Sequence, residues 1–140
     1  MNAAALLLRA IQNKLLLTSK AFEDLDVDEA LTARDDLEFE EKWLHLSRQV
    51  KAAKFDDAEI KMTDRLREVA FRTTYEHTSD PEISAEVSDD FEVISMGVAS
   101  GLQDDFLVWL LESYIAGRFP CGPIVSSGTS VDALMEVLRE

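Results

Sequence analysis

The sequence predicts an all-α fold, a single-domain bundle of about six helices. Apolar residues recur at helical spacing along most of the chain, and strand-like alternation is missing apart from a short extended piece expected at 124–126. Hydrophobic residues make up 46% of the 140 positions and charged residues 30%, which indicates a folded globular protein rather than a disordered one. A chain of this length usually forms one domain, so we expect residues 1–140 to fold together.

The first half of the chain predicts four helices with recognisable starts. Asn2 is a good N-cap, and the apolar seam behind it continues to Phe22 in steps of four and three residues. Asp56 and Asp57 are typical of the start of a helix that would end near Thr78. In order, the four expected helices cover 3–22, a short stretch within Asp24–Arg34, Asp35–Lys54 and 57–78.

The second half predicts shorter helices separated by proline and glycine. Asp80-Pro81 is a signal for a helix restart, because aspartate caps and proline suits the first helical position. Asp89, with Glu92 three residues later, predicts the start of a helix that Gly101 would end in the left-handed conformation. Two further helices are expected, after Asp104 as far as Gly117 and after Ser130, with an irregular loop over Phe119–Gly128 between them.

The balance of charge limits the classes of partner. The chain has 28 acidic and 14 basic residues, a net charge of −14. This charge argues against nucleic acid and against anionic membranes, because both are recognised through lysine and arginine. It favours a basic protein partner, since opposite charge steers association and complements the surface.

Cysteine content and the N-terminal pattern indicate the compartment. Cys121 is the single cysteine, which excludes an internal disulfide framework and fits a reducing environment. No basic region precedes the first apolar run, so a secretory signal is not expected, and the longest apolar runs are too short to cross a bilayer. We therefore expect a cytoplasmic protein. The sequence has no glycine-rich phosphate loop or dinucleotide fingerprint, and we expect no cofactor.

The acidic residues fall in two blocks. Glu23–Glu41 has ten acidic residues and one basic residue, Arg34, whereas Glu76–Glu112 has ten acidic residues and no basic one. A surface tuned for solubility would mix both signs, and packing like charges costs self-repulsion. We therefore predict a surface for a basic partner. The candidate partner-binding residues are Asp24, Asp26, Asp28, Glu29, Asp35 and Asp36, joined by Asp104 and Asp105 if the blocks converge in space.

A structural role for the same carboxylates stays open. Acidic residues fall in the first turn of an expected helix, where they stabilise free amide groups and complement the dipole, at Asp56, Asp57, Glu59, Asp89, Asp90, Glu92, Asp104 and Asp105. The first block could also lie against the mildly basic middle of its own chain, residues 42–75. Three acid–base pairs have the spacing of helical ion pairs: Glu38–Lys42, Asp57–Lys61 and Glu68–Arg72.

Two patterns resemble metal sites, and a structural role explains each better. The alternating aspartates of Asp24–Asp28 match the opening of a calcium loop, but Glu29 stands where that loop needs glycine. Glu41 and His45 are one helical turn apart and His77 follows later, yet the spacing differs from that of di-metal bundles. The sequence therefore predicts no metal site.

The sequence shows no set of residues arranged for nucleophilic catalysis. Cys121 lies among glycine and proline with no histidine placed beside it by the sequence, so we expect a small buried loop residue. Trp43 and Trp109 lie within apolar helical stripes and are expected in the core, with a role as exposed anchors of an interface as the alternative. We therefore predict that the protein is not an enzyme.

The chain resembles a known class of proteins. The resemblance rests on its size, on its two acidic blocks and on the residues that mark helix starts and ends in its C-terminal third. The residues concerned are Ser88-Asp89-Asp90-Phe91, Asp104-Asp105-Phe106, Tyr114, Gly117 and Phe119-Pro120-Cys121-Gly122. In these features the chain resembles the small acidic helical immunity proteins that bacteria make against secreted toxins. The resemblance implies a cytoplasmic inhibitor that occludes a basic nuclease toxin by charge and shape. It assigns no role to any single residue, so the candidate residues rest on charge alone.

The predicted function is that of a non-catalytic binding protein, a monomer or homodimer whose acidic face captures a basic protein. The carboxylates would steer the partner, and a few apolar or aromatic anchors would supply affinity. One alternative is a structural or regulatory helical protein that self-associates through its apolar stripes. Another is a carboxylate-rich metal-binding protein that uses Glu41, His45 and His77.

Overall fold

The computed structural model describes residues 2–139 and contains no β-strand within that range. Those residues form seven α-helices, rather than about six, and the all-α prediction is confirmed. In chain order they are α1 (Ala3–Gln12), α2 (Val27–Ala33), α3 (Leu37–Ala52), α4 (Asp57–Thr78), α5 (Pro81–Ala99), α6 (Asp105–Ile115) and α7 (Val131–Leu138), with one turn of 3-10 helix at Ser19–Ala21. Residues 124–126, expected to be extended, have no regular structure. Within the described range, no helix combines the length and apolarity that crossing a bilayer requires.

The first helix ends at Gln12 rather than continuing to Phe22. Lys14 adopts a left-handed conformation with φ of 64°. The amide of Lys14 donates to the carbonyl of Ile11 at 3.2 Å, and the next amide donates to the carbonyl of Ala10 at 2.9 Å. This pair of bonds is a Schellman motif, which satisfies the last carbonyls of the helix. The prediction of one long helix is wrong because the chain turns at Lys14 and still returns Leu16 and Phe22 to the core.

Helix α5 runs without a break through the start predicted at Asp89. Its true N-cap is Asp80, whose carboxylate accepts two first-turn amides at 2.9 Å, and Pro81 is its first residue. Asp89 lies in the middle of the helix and forms an ion pair with Arg67 of α4 at 2.6 Å. The prediction that Asp89 opens a helix is wrong, because its carboxylate meets a cation on the neighbouring helix instead of free amides.

Other predicted boundaries are confirmed by their caps. Asp56 and Glu59 form a reciprocal capping box at the start of α4. Asp104 caps α6 by accepting the amide three residues later at 3.0 Å. Gly101 and Gly117 end α5 and α6 with φ of 72° and 76°, where a side chain would be strained.

Helix α5 is the centre of the bundle, and α1, α3, α4 and α6 all pack against it. Ten of its 19 residues are buried, including three serines and one glycine, so its neighbours can approach closely. The Thr63 hydroxyl of α4 lies 3.2 Å from the Ser95 hydroxyl. A Cβ atom at Gly97 would lie 2.8 Å from Leu107 Cδ2 of α6. Small residues therefore let one helix contact four others.

The turn between α2 and α3 lies beside the irregular segment that precedes α7. Arg34, the first residue of this turn, donates from Nε to the carbonyl of Pro120 at 2.9 Å. Phe119 and Pro120 are buried, whereas residues 122–128 are largely exposed and carry no helix or strand, which confirms the loop predicted there. The α2–α3 turn and this loop together form the side of the bundle that carries the candidate site.

Candidate functional site

The eight carboxylates predicted to bind a partner lie at helix starts and in the turns before them. Asp26 caps α2 by accepting an amide at 3.0 Å, and Asp104 caps α6. Asp35 and Asp36 form the turn that precedes α3, and Asp105 is the first residue of α6. Seven of the eight are exposed, and Asp104 is partly buried.

Glu38 joins the two acidic blocks. A groove of about 560 Å³ is lined by Asp35, Asp36 and Glu38 together with loop residues 122–124. A second groove, of about 470 Å³, is lined by Glu38, Asp104, Asp105 and the nearby Lys42. Because Glu38 lines both grooves, the aspartates of the two blocks lie on either side of it. The Glu38 surface is defined by Asp35, Asp36, Glu38, Glu41, Asp104 and Asp105.

The remaining predicted carboxylates are not part of this surface. Asp24, with a left-handed φ of 60°, Asp26 and Asp28 line neither groove. Glu29 lies close enough to Cys121, next to the first groove, to affect its thiol electrostatically. The structure therefore places Asp35, Asp36, Asp104 and Asp105 together and leaves Asp24, Asp26 and Asp28 on a neighbouring part of the surface.

The carboxylates of the Glu38 surface have no intrachain ion pair within residues 2–139. Among the helical pairs expected from spacing, only Glu68–Arg72 is formed in that range. Helix α4, which holds Lys61, Arg65, Arg67 and Arg72 from the mildly basic middle of the chain, packs mainly against α1 and α5. Intrachain neutralisation therefore does not explain the first block.

Four of the five carboxylates of α5 have an arginine partner, whereas the exposed Glu82 has none within residues 2–139. Arg67 contacts Asp89 at 2.6 Å and Glu92 at 2.9 Å. Arg34 pairs with Asp90 and, at 3.4 Å, with Glu86. The second block thus contains a group of carboxylates on α5 that share two arginines, Arg34 and Arg67, whereas Asp104 and Asp105 remain part of the Glu38 surface.

A buried cluster centred on Arg34 and Asp90 lies behind the Glu38 surface. Arg34 is 4% exposed and Asp90 fully buried, and both terminal nitrogens of the guanidinium donate to the carboxylate, Nη1 to Oδ1 at 3.1 Å. Trp43 Nε1 donates to Asp90 Oδ1 at 3.1 Å, and the Tyr114 hydroxyl donates to Oδ2 at 2.6 Å. The Arg34 cluster is defined by these four residues and Glu86. Across residues 2–139, no buried side-chain polar atom lacks a hydrogen-bond partner.

Arg34 also connects the α2–α3 turn to the loop. Its guanidinium carbon lies 4.7 Å from the ring centre of Phe39 in α3 and 4.2 Å from that of Phe119. Removing one partner from a buried charge pair costs several kcal/mol, so the cluster strongly favours one arrangement of these segments. Asp35 and Asp36 follow Arg34 directly, and the cluster therefore holds the edge of the Glu38 surface in place.

Burial shifts the proton equilibria of the cluster. It would lower the pKa of the Arg34 guanidinium, but the surrounding acidic groups, chiefly Asp90, together outweigh this effect and hold the pKa above its ordinary value. Burial, followed by the negative charge of Asp90, raises the pKa of Tyr114, which stays a neutral hydrogen-bond donor. Burial also raises the pKa of Glu86, and Arg34 offsets part of that rise.

Sequence reasoning missed the Arg34 cluster, although two signals were present. Arg34 is the single basic residue in the first acidic block. Asp90 falls at helical spacing on the stripe of Val87, Phe91 and Ile94, where a carboxylate would be costly without a cation. The prediction that Trp109 lies in the core is confirmed, whereas Trp43 is only partly buried.

Leu37 was also missed. It is the first residue of α3, lies between Asp36 and Glu38, and is 68% exposed. Val125, one residue beyond the part of the loop that lines the first groove, is 63% exposed. Large apolar side chains that project from a charged surface are typical anchors of protein interfaces.

The two histidines and the cysteine that could take part in metal binding or catalysis lie in different environments. His77 stacks on Phe22 with ring centres 5.8 Å apart, whereas His45 lines the second groove with Glu41. Within residues 2–139, no three His, Cys, Asp or Glu side chains form a group that could hold a metal ion. Cys121 is half-buried rather than fully buried as expected, and burial raises the pKa of its thiol, which disfavours the nucleophilic thiolate.

Comparison with known proteins adds one match. A family model described as Immunity protein PIM1 matches residues 6–121. The matched range includes most of α1, all of helices α2 to α6, the whole Arg34 cluster and all six residues of the Glu38 surface. No curated protein shows significant similarity to the chain.

Proposed function

Because the chain belongs to the Immunity protein PIM1 family, we propose that it neutralises its partner toxin by covering a basic surface of that toxin with the Glu38 surface. Membership of an immunity family gives an immunity-type function and a partner toxin. The proposal adds the basic character of the partner and the residues that meet it. It also makes the protein a stoichiometric inhibitor rather than an enzyme, and the raised pKa of the Cys121 thiol is in keeping with that.

The observation that carries the proposal is the convergence of unpaired carboxylates around Glu38. Asp35 and Asp36 approach it from the first block, and Asp104 and Asp105 from the second. Self-repulsion among like charges is relieved when a cationic surface docks. Asp24, Asp26, Asp28 and Glu29 lie outside this convergence and would add to the long-range field.

Affinity requires more than charge, because exposed carboxylates at an interface mainly affect the association rate. We assign the anchoring role to Leu37, which projects from the middle of the acidic surface. The groove beside it, lined by residues 122–124 of the loop, would receive part of the partner. Burial of Leu37 against an apolar patch then slows dissociation.

A nuclease is the toxin class that fits this surface best. An enzyme that binds nucleic acid needs lysine and arginine to contact phosphates. A carboxylate surface that covers those side chains would block substrate binding without any chemical step. Such a toxin acts inside cells, and the single cysteine favours the same reducing compartment, so a cytoplasmic location stays our prediction.

The test is association kinetics with the partner toxin at increasing ionic strength. The triple variant Asp35→Asn, Asp36→Asn, Glu38→Gln should lower the association rate at low salt by about tenfold or more. A matched control removes three exposed carboxylates elsewhere, through Asp57→Asn, Glu76→Gln and Asp132→Asn. Equal effects of the two triple variants, or an association rate that does not depend on salt, would contradict the proposal.

A further inference from the structure

A small cleft lies between α3 and α5, next to the Arg34 cluster and close to the Glu38 surface. It has a volume of about 280 Å³. Trp43 and Leu44 of α3 supply apolar lining. Its carboxylates are Asp35 from the α2–α3 turn, Glu40 from α3, and Glu86 and Asp89 from α5.

Negative charge in this cleft exceeds the positive charge beside it. Arg34 also lines the cleft, but its guanidinium is already held by Asp90 and reaches Glu86 only at 3.4 Å. Asp89 has Arg67 as its partner, whereas Asp35 and Glu40 have no ion pair within residues 2–139. Burial raises the pKa of Glu86, which means that its carboxylate is poorly compensated and would be stabilised by a second cation.

Trp43 gives the cleft a fixed aromatic wall. The hydrogen bond from its indole Nε1 to Asp90 restricts rotation of the ring. Guanidinium groups pack well on aromatic faces, because they are planar and weakly hydrated, and they donate to carboxylates in a fixed fork. The protein already holds Arg34 in this way, against Phe39 and Phe119 and facing Asp90. An ammonium group fits less well, since it is compact and strongly hydrated.

We propose that this cleft receives an arginine side chain of the partner toxin, with the guanidinium against Trp43 and donating to Glu86 and Glu40. The inference rests on the proposed function, because it names the chemistry that the partner inserts beside the Glu38 surface. It makes the cleft the contact that recognises one particular side chain, while the Glu38 surface covers the surrounding basic surface of the toxin. The partner is thereby expected to present an exposed arginine next to its basic surface.

The cleft can be tested without the toxin. The probe is N-acetyl-arginine amide, titrated into the whole protein and followed by the NMR signals of the two indole N–H groups. The Trp43 signal should shift in a saturable way, whereas that of Trp109, which is 7% exposed, serves as the internal reference. The citrulline analogue, which is nearly isosteric but neutral, should cause little shift, and the lysine analogue should bind more weakly than arginine.

Two variants test the carboxylates, and one is the control. Glu86→Gln and Glu40→Gln should each weaken binding of the arginine probe by about fivefold, because glutamine keeps an acceptor oxygen but loses the negative charge that strengthens the hydrogen bond. Glu82→Gln, at an exposed position of α5 outside the cleft, should leave it unchanged. An undisturbed Trp43 indole signal in each variant shows that the cleft is intact. No saturable shift, equal binding of citrulline, or tighter binding of lysine would overturn the proposal.

Toxin binding separates the failure of this inference from that of the proposed function. If Glu86→Gln leaves toxin affinity unchanged while the Asp35, Asp36 and Glu38 triple variant lowers it, the cleft proposal fails and the proposed function stands. If the arginine probe binds at Trp43 but neither salt nor the triple variant affects the toxin, the proposed function fails. If the arginine probe binds, and both Glu86→Gln and the triple variant lower toxin affinity, the cleft proposal and the proposed function are both supported.

Discussion

Arg34 and Asp90 lie 56 residues apart in the sequence and form a fully buried ion pair joined by two hydrogen bonds. Trp43 and Tyr114 complete the hydrogen bonding of the Asp90 carboxylate. The pair fixes the end of α2 against the centre of α5, and the turn that begins at Arg34 carries the first two aspartates of the Glu38 surface. A buried interaction therefore positions an exposed surface.

Loss of the Arg34 cation should unfold the protein more easily. We expect Arg34→Met to lower the free energy of unfolding by about 3–5 kcal/mol, because Asp90 would remain buried with an uncompensated charge. Urea denaturation measures this. The matched control is Arg67→Met, which removes a partly exposed ion pair and should cost about 1 kcal/mol or less. Similar losses in the two variants would show that burial of the Arg34 pair does not matter.

The Tyr114 hydroxyl should contribute measurably to stability. Tyr114→Phe removes a hydrogen bond of 2.6 Å to a buried carboxylate, and we expect a loss of about 1.5–3 kcal/mol in the free energy of unfolding. Tyr75→Phe is the control, since Tyr75 is 46% exposed, and its effect should be within about 0.5 kcal/mol of zero. A loss at Tyr114 no greater than at Tyr75 would argue against a charged acceptor.

Glu86 should make stability depend on pH in the opposite sense to a salt-bridged carboxylate. Its pKa in the folded state is raised from the ordinary value of 4.5, so the folded state holds more protons than the unfolded state as pH rises from that value. The free energy of unfolding therefore falls as pH rises from 4.5 through the raised pKa of Glu86. At lower pH Glu86 is protonated in both the folded and the unfolded state, so its burial does not destabilise the fold.

Glu86→Gln removes this titration. The stability of the variant relative to the natural chain should therefore increase as pH rises from below 4.5 towards neutrality. Urea denaturation at several pH values measures the difference, and Glu82→Gln corrects for the loss of one carboxylate from α5. A difference that stays constant with pH, or that decreases, would show that burial does not dominate at Glu86.

Leu37 should affect toxin binding and not folding. Leu37→Asp changes a side chain that is 68% exposed, so its effect on unfolding should stay near 0.5 kcal/mol or below. Toxin dissociation should become faster by about tenfold or more, as expected for an anchor worth over 1 kcal/mol. Val137→Asp introduces the same change at a 51% exposed position on α7 and should leave dissociation unchanged. Equal effects at both positions would remove the anchoring role from Leu37.

The end of α1 contains removable strain. Lys14 holds a left-handed φ of 64°, which glycine adopts without the penalty of a Cβ atom. We expect Lys14→Gly to raise the free energy of unfolding by about 1 kcal/mol in urea denaturation. Lys14→Ala keeps the Cβ atom and should produce no such gain. If alanine stabilised the protein as much as glycine, the benefit would come from loss of the lysine side chain rather than from relief of strain.

The convergence of the acidic blocks could be anticipated only in part. The sequence predicts that the two blocks exist and that they are negative, because counting charges needs no structure. It does not predict that they approach each other at Glu38, since that depends on how α3 packs beside the start of α6. Asp89 was misread as a helix start because a carboxylate that caps a helix and one that pairs with a neighbouring arginine look alike in a sequence.

Interactions within a few residues were determined by the sequence alone. The capping box of Asp56 and Glu59, the cap at Asp104 and the left-handed glycines at 101 and 117 each depend on adjacent backbone groups, so their residue types are sufficient signals. Tertiary structure decided the interactions that join distant segments. Packing around α5 brings Arg34 to Asp90 and places Glu38 between the aspartates of the two acidic blocks. No hydrogen bond between residues close in sequence specifies these contacts.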